Sequence, residues 1–444
     1  MIKSFKNHYL LILIMTIMIT GAANADENVY PSTGSGSSAF VLNKPAWATE
    51  LSFAVKEGYD NNLLGVSGDG MPKRYSWVTT LSPKIGIDLA PLINNQNIQV
   101  LSLKYEPDFS MYSQDSDENN NAHRILNTIK TNSDNASFSL DNSFIYVDGS
   151  SIAPIYKSPD NVRSCYAHAL PRERRNQYQD RMNFKLQFNW DQFFVRPTGD
   201  LQYWDMLTDQ KNISGYQNWV DRYDINGGMD VGRKISSQLA LFLGYRYGRQ
   251  YQGGVINSNY SSTNDYQRAI VGVEGKPFKW LTLSAVAGPD FREYDDSAPV
   301  NDKNQVNFYG ECSLKAEISK NDAITAKYKG TRWISSTGQV PTFDNGFDLG
   351  YRHKFDTSVT WNLNGGIKNA DYTVGNLNTG SAPSLRNDWL YTFSTGVIYD
   401  FNAHIGVNMN IAVNLGRNEQ DGITNANYRE FDQCVTSIGM FSKF

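Results

Sequence analysis

After its first twenty residues the chain has no apolar run near the ~18 residues that a spanning helix needs, so a bundle of membrane helices is excluded. Cysteine is scarce and odd in number: Cys165, Cys312 and Cys434 are widely dispersed, which suggests neither a disulfide framework nor a thiolate metal site. Histidine is almost as rare. Beyond the leader only His123, His168, His353 and His404 remain, and they are scattered. There is no basic excess, since the formal net charge is −4, and a nucleic-acid partner would call for a basic patch or stripe. No nucleophile, base and orienting group can be assembled, so no enzyme, cofactor or metal site is expected.

What the chain does have begins with an export signal. Lys3 and Lys6 precede a short apolar core from Leu10 to Thr20, and Ala23-Asn24-Ala25 fits the small-x-small rule for cleavage after Ala25. Residues 1–25 therefore read as a signal peptide, and no Cys follows the cleavage site to carry a lipid. Residues 26–46, rich in Ser, Gly and Asn, read as a flexible periplasmic lead-in.

From 47 to 444 the dominant pattern has a period of two, the signature of β-strands. Leu239, Leu241, Leu243, Tyr245 and Tyr247 alternate with Ala240, Phe242, Gly244 and Arg246. Leu281 to Phe291 behaves likewise, as does Ile405 to Leu415, where Asn408, Asn410 and Asn414 take the polar side. Strands of soluble sandwiches are commonly ~5–6 residues long, whereas these alternations run for 11 or more, the length of a tilted strand crossing a bilayer. The mean hydropathy of −0.48 is no objection, because half of each such strand faces water. Aromatic content of 13%, with 26 Tyr, suits the interfacial girdles of a membrane barrel.

Short connections are expected near 91–97, 148–151, 191–192, 233–237, 275–279, 320–322, 355–358 and 400–403. They alternate with long ones near 58–74, 113–134, 160–179, 208–218, 252–264, 294–304, 336–345, 373–386 and 418–427. The fold class expected is all-β: an antiparallel up-and-down transmembrane barrel of 18 strands, with 16 as the fallback. Its weakest strand is the fifth, around Ile152 to Tyr156, where Pro154 interrupts it. Both termini then fall on the short-turn, periplasmic side.

A barrel of ~16–18 strands is wide enough for an aqueous channel, and charges on its inward face would tune selectivity. The inward parity carries Arg222, Arg246, Arg268, Arg292 and Arg352, with Glu274, Asp290, Glu311, Lys315 and Glu317 beside them. These ten are the expected pore lining, and the alternative is that they pair across strands and simply fill the interior. Inward aromatics look few, Phe242 and Tyr309 being examples. The acidic stretch Asp115, Asp117, Glu118 reads as solvated. The Arg163, Arg172, Arg174 and Arg175 run reads as a solvated loop or a contact for lipopolysaccharide phosphate.

The terminal alternation Cys434, Thr436, Ile438 and Met440, closing on Phe444, resembles the C-terminal strand by which assembly machinery recognises bacterial outer-membrane barrels. Gly58-Tyr59-Asp60-Asn61-Asn62 resembles the opening of the Gram-negative β-barrel porin 2 group. That resemblance implies an outer-membrane channel, and some members of the group resemble barrels encoded with exopolysaccharide export systems. The function expected is passive diffusion of small hydrophilic solutes, with a polysaccharide outlet or a plugged structural or adhesive barrel as alternatives. The expected partners are outer-membrane lipid and lipopolysaccharide, the barrel-assembly machinery and the passing solute or polysaccharide, with a homotrimer as one option.

Overall fold

The computed structural model describes residues 47–66, 73–93, 95–149, 174–207, 220–253, 261–298, 300–334, 341–372, 386–420 and 430–444. The described residues form eighteen strands. The first nine are β1 (Ala48–Asp60), β2 (Ser76–Asp88), β3 (Ile98–Tyr112), β4 (Asn120–Asn132), β5 (Ala136–Asp148), β6 (Gln177–Trp190), β7 (Phe193–Met206), β8 (Arg222–Ser236) and β9 (Leu239–Gln252). The second nine are β10 (Asn264–Phe278), β11 (Leu281–Tyr294), β12 (Asn304–Glu317), β13 (Asp322–Trp333), β14 (Thr342–Lys354), β15 (Val359–Tyr372), β16 (Arg386–Asp400), β17 (Ile405–Gln420) and β18 (Phe431–Lys443). Each strand pairs with its sequence neighbours, and β1 pairs antiparallel with both β2 and β18. The sheet is thus a closed antiparallel barrel, and closure removes the free edges that an open sheet would expose.

Alternation along the strands sorts the side chains. Leu243, Val271 and Val306 are 68%, 57% and 70% exposed on the outer wall. Phe308, Leu349, Phe393, Met409 and Ile438 are exposed with them. A continuous apolar wall of this extent marks a surface made for a partner other than water. Cys312 and Cys434 are free thiols on this outer parity.

Aromatic rings collect near the strand ends. Phe278 stacks on Trp280 with centroids 5.6 Å apart, and Tyr399 meets Phe401 at 5.1 Å, both at short turns. At the opposite end the run Tyr105, His123, Tyr146 and Tyr178 stacks across β3 to β6.

The eighteen-strand expectation holds, but by a route that differs in one sector. Residues 120–132, placed in a long loop by sequence, form β4, and the turn that follows spans 133–135. The outer face of β4 alternates His123 and Asn127 with Ile125 and Ile129, and that broken stripe hid the strand. The fifth strand is 136–148 and pairs directly with β6. The segment 152–156, expected to be that strand, lies outside the described residues. So does the Ser/Gly/Asn-rich lead-in.

One turn depends on a glycine. Gly275 sits at a register shift of β10 with φ of +132°, a conformation that side chains with a Cβ rarely adopt. A Cβ there would collide with the Gln238 carbonyl oxygen.

Candidate functional site: the barrel lumen

Inside the wall lies a cavity of about 1330 Å³, lined by side chains from β6 round to β18. A water molecule's share of the liquid is about 30 Å³, so the space can hold a sizeable hydrated solute. Most of the lining groups are charged or amide-bearing, as the inward parity of the sequence demands.

The wall made by β7 to β11 is a network of ions. Arg196 donates from Nε to Asp230 Oδ2 at 2.9 Å and also reaches Glu274. Arg246 Nη2 lies 2.7 Å from the other Asp230 oxygen. Its neighbour network centres on Asp290, which is fully buried and holds Arg292 at 2.9 Å and Arg268 at 3.4 Å. The Arg268 guanidinium is clasped between the Tyr266 and Tyr309 rings, 4.1 Å from each centroid, an arrangement in which the ring quadrupoles attract the cation. Tyr266 in turn donates to Asp224 at 2.6 Å, and Gln250 donates to the second Asp224 oxygen at 2.7 Å. Nearly every buried charge here has an opposite charge or a directed donor, which offsets the cost of taking it out of water.

All ten candidates from the sequence stand on the inward face, in three different settings. Arg222, Arg246, Arg268, Glu274 and Glu311 line the cavity. Arg222 packs over Trp204 at 4.6 Å, and Glu311 pairs with Lys329 at 2.7 Å. Asp290 and Arg292 are buried behind the surface of the lumen. Lys315 and Glu317 pair with each other at 2.7 Å near the short-turn rim, and Arg352 is exposed close to the same rim. The structure adds groups that the alternation did not single out: Arg196, Asp230, Asp224, Lys327 and the Trp204–Trp333 pair. Inward aromatics are also more numerous than expected, since Trp333, Tyr372 and Phe431 join Phe242 and Tyr309 on the cavity wall.

At the long-loop end two features stand out. The first is a buried junction above β1 to β6. Arg175 Nη2 donates to Glu118 at 2.6 and 2.8 Å, Arg174 Nε lies 3.0 Å from the same carboxylate, and Arg174 also donates to the Leu63 carbonyl oxygen. Leu63, Leu64, Glu118 and Arg175 are all at most 1% exposed. Glu118, Arg174 and Arg175 are therefore not solvated loop charges; they clamp the β1–β2 connection to the base of β6. Arg163 and Arg172 lie outside the described residues.

The second feature is the end of β13. Its pairing with β12 stops at Gly310 opposite Gly330. Beyond that point Thr331, Arg332 and Trp333 cross the inner face of the wall. The Arg332 carbonyl oxygen accepts from Arg292 Nη2 at 3.0 Å and Gln250 Nε2 at 3.5 Å, and the Trp333 ring meets Trp204 of β7 at 5.9 Å. Among the described residues no group of His, Cys, Asp and Glu is placed to hold a metal ion.

The fold and lumen define a closed barrel with an apolar exterior and a charged, hollow interior. No protein-family model matches the chain, and no curated protein matches it. Solved structures of similar architecture include OccAB3 of Acinetobacter baumannii, with a TM-score of 0.43 and 11% identity over 89% of this chain and 99% of that one. They also include OccK2 (OpdF) of Pseudomonas aeruginosa in complex with glucuronate, at 0.43 and 10% over 89% and 98%. The siderophore receptor PirA of Acinetobacter baumannii aligns at 0.40 and 8% over 89% and 81%. At these scores the matches assign neither a family nor a solute to this chain.

Proposed function

We propose that the chain is an outer-membrane channel for passive diffusion of small hydrophilic solutes. The observation that carries this reading is the pairing of a roughly 1330 Å³ charged lumen with an outer wall of exposed Leu, Val, Phe and Met. A lipid bilayer is the partner that such a wall fits, because closed barrels satisfy every backbone group without water. Lipid and lipopolysaccharide would cover the outer wall, and the strand ending at Phe444 would serve recognition by assembly machinery. The short-turn end, where both termini of the barrel lie, would face the periplasm. The leader supports export, and the chain is read as non-enzymatic.

The test is single-channel conductance of the refolded mature chain in a planar bilayer. Steady, salt-dependent steps are expected. A correctly folded barrel that never conducts would overturn the open-pore reading in favour of a plugged structural barrel. A second reading, an outlet for exopolysaccharide, draws support from Trp333, Tyr372 and Phe431 on the cavity wall, since flat rings stack on sugars. Block of the conductance by oligosaccharides at the short-turn side would favour it.

A further inference from the structure

Elsewhere in the described barrel, a strand ladder ends where one of its two strands ends. The β12–β13 ladder is different. Its last pair is Gly310 and Gly330, yet β12 continues outward to Asn304 and β13 continues to Trp333. Residues 304–309 of β12 remain paired to β11 on one side only, while 331–333 of β13 remain paired to β14. The two strands splay apart above a pair of glycines.

The splayed end is held inward by specific bonds. Arg332 lies on the outward parity of β13, yet it is only 4% exposed, because the strand has moved behind its neighbour. Its guanidinium Nη2 donates to Gln305 Oε1 at 3.0 Å, on the lumenal face of β12. Its carbonyl oxygen takes the bonds from Arg292 and Gln250. Thr331 Oγ1 accepts from Arg268 Nη2 at 3.5 Å. Trp333 closes on Trp204, whose own faces carry the Arg181 and Arg222 guanidiniums at 5.5 and 4.6 Å. This places two indoles and two guanidiniums together at the long-loop end of the lumen.

The unpaired edge of β12 offers a place for the same segment. Continuing the existing register would set Tyr309 opposite Thr331, Phe308 opposite Arg332, and Asn307 opposite Trp333. In that arrangement the β12 edge regains its ladder, which matters because an unpaired edge within a membrane leaves its amides without partners. Arg332 would turn outward beside Phe308, at the height where long basic side chains reach lipid head groups. Trp333 would leave Trp204, and the passage would widen.

Resting on the channel reading, we propose that the outer end of β13 is the specificity-determining gate of this pore. It is hinged at Gly310 and Gly330 and exchanges between a seat on Arg292 and Gln250 and a seat on the β12 edge. The inner seat presents Trp333 and Trp204 to the solute; the outer seat withdraws Trp333.

The test uses the mature chain with its three cysteines changed to serine and the pair Phe308→Cys and Arg332→Cys introduced. These positions are unpaired in the observed ladder, and continuing its register would set them opposite each other, within disulfide reach. Oxidation is expected to form the bond in the folded barrel, detected by mass spectrometry, and to raise the single-channel conductance several-fold, with reversal by reductant. Gln250→Ala, which removes one hold on the Arg332 carbonyl, is expected to speed bond formation without itself adding a cysteine. A folded barrel in which oxidation leaves both thiols free by mass spectrometry would show that the segment does not return to β12, and would overturn the gate. A disulfide that leaves a conducting pore unchanged would overturn it as well. If the disulfide forms and neither state conducts, the two-seat hinge stands and the channel reading is the part that fails.

Discussion

Arg196 and Asp230 meet across β7 and β8, Nε to Oδ2 at 2.9 Å, with side chains only 6% and 1% exposed. Arg196 serves two carboxylates, since it also reaches Glu274 on β10, and its guanidinium lies 4.8 Å from the Phe242 ring centroid. Removing it leaves Asp230 with Arg246 alone and Glu274 without its cation. Breaking one side of a buried pair costs about 3–5 kcal/mol. Arg196→Ala should therefore lower the unfolding midpoint in denaturant, and adding Asp230→Asn should recover part of the loss. Equal midpoints for Arg196→Ala and the unmodified barrel would show that water in the lumen already satisfies these carboxylates.

Arg246 and Arg292 share the inward face but not the same environment. Arg246 lines the cavity and faces Asp230 at 2.7 Å. Arg292 is buried, bonded to Asp290, Gln250, Asn264 and the Arg332 carbonyl. Arg246→Ala should shift ion selectivity toward cations while leaving the barrel folded. Arg292→Ala should act mainly on stability and on the β13 end. Reversal potentials across a salt gradient separate the two, and the assignment fails if Arg292→Ala gives the larger selectivity shift.

Much of this was legible from the period-two pattern, because a residue's parity determines whether it faces lumen or exterior. Arg222 and Glu274 could be assigned inward from the sequence for that reason. Parity says nothing about which inward charges meet, since that depends on register and on side chains reaching across several strands. Arg196 shows the limit. It sits on the inward parity of β7, but Pro197 and Gly199 interrupt the outer stripe that would have exposed the pattern. The splay of β13 was equally hidden, because Gly310 and Gly330 become a hinge only when the register sets them opposite each other.

Gly275 should not tolerate a side chain. Its φ is +132°, and a methyl added to its Cα would run into the Gln238 carbonyl oxygen, which leaves no room. Where native φ is positive, a change to Ala destabilises by more than the ~0.4–1 kcal/mol such a change gains at compatible sites. Gly275→Ala should fold more slowly into vesicles and unfold at lower denaturant, whereas Gly227→Ala, where the nearest atom lies 3.8 Å away, should not. Similar midpoints for the two variants would contradict the reading of this turn.

Asp356 gives the short turn after β14 an acid-sensitive bond pattern. Its Oδ1 accepts from the Ser358 and Val359 amides at 2.7 and 2.8 Å, and those bonds hold its carboxyl below the usual range. A depressed folded value means that the stabilisation is complete above the unfolded value of about 3.9 and is lost as pH falls through the folded one. Hydrogen exchange at Ser358 and Val359, corrected for its intrinsic pH dependence, should lose protection in that acid window. Asp356→Asn should abolish the transition, and an unchanged profile in that variant would assign it elsewhere.

The outer wall sets the last expectation. Leu243 is 68% exposed on β9, four residues in from Leu239, with Val231 and Val271 beside it on the neighbouring strands. If lipid covers this wall, Leu243→Arg places a cation in hydrocarbon, at a cost of about 2–4 kcal/mol near the bilayer midplane. The adjacent Gly244 faces the lumen, where Asp230 Oδ1 already fills the position a Cβ would take, so that side is no neutral control. Phe401→Arg is a better one, because Phe401 is exposed in the β16–β17 turn, outside the strands. Equilibrium folding into lipid vesicles should show a clear loss for Leu243→Arg and little for Phe401→Arg. Equal effects at both depths would mean that the apolar wall is covered by something other than a bilayer, and the outer-membrane reading would fall with it.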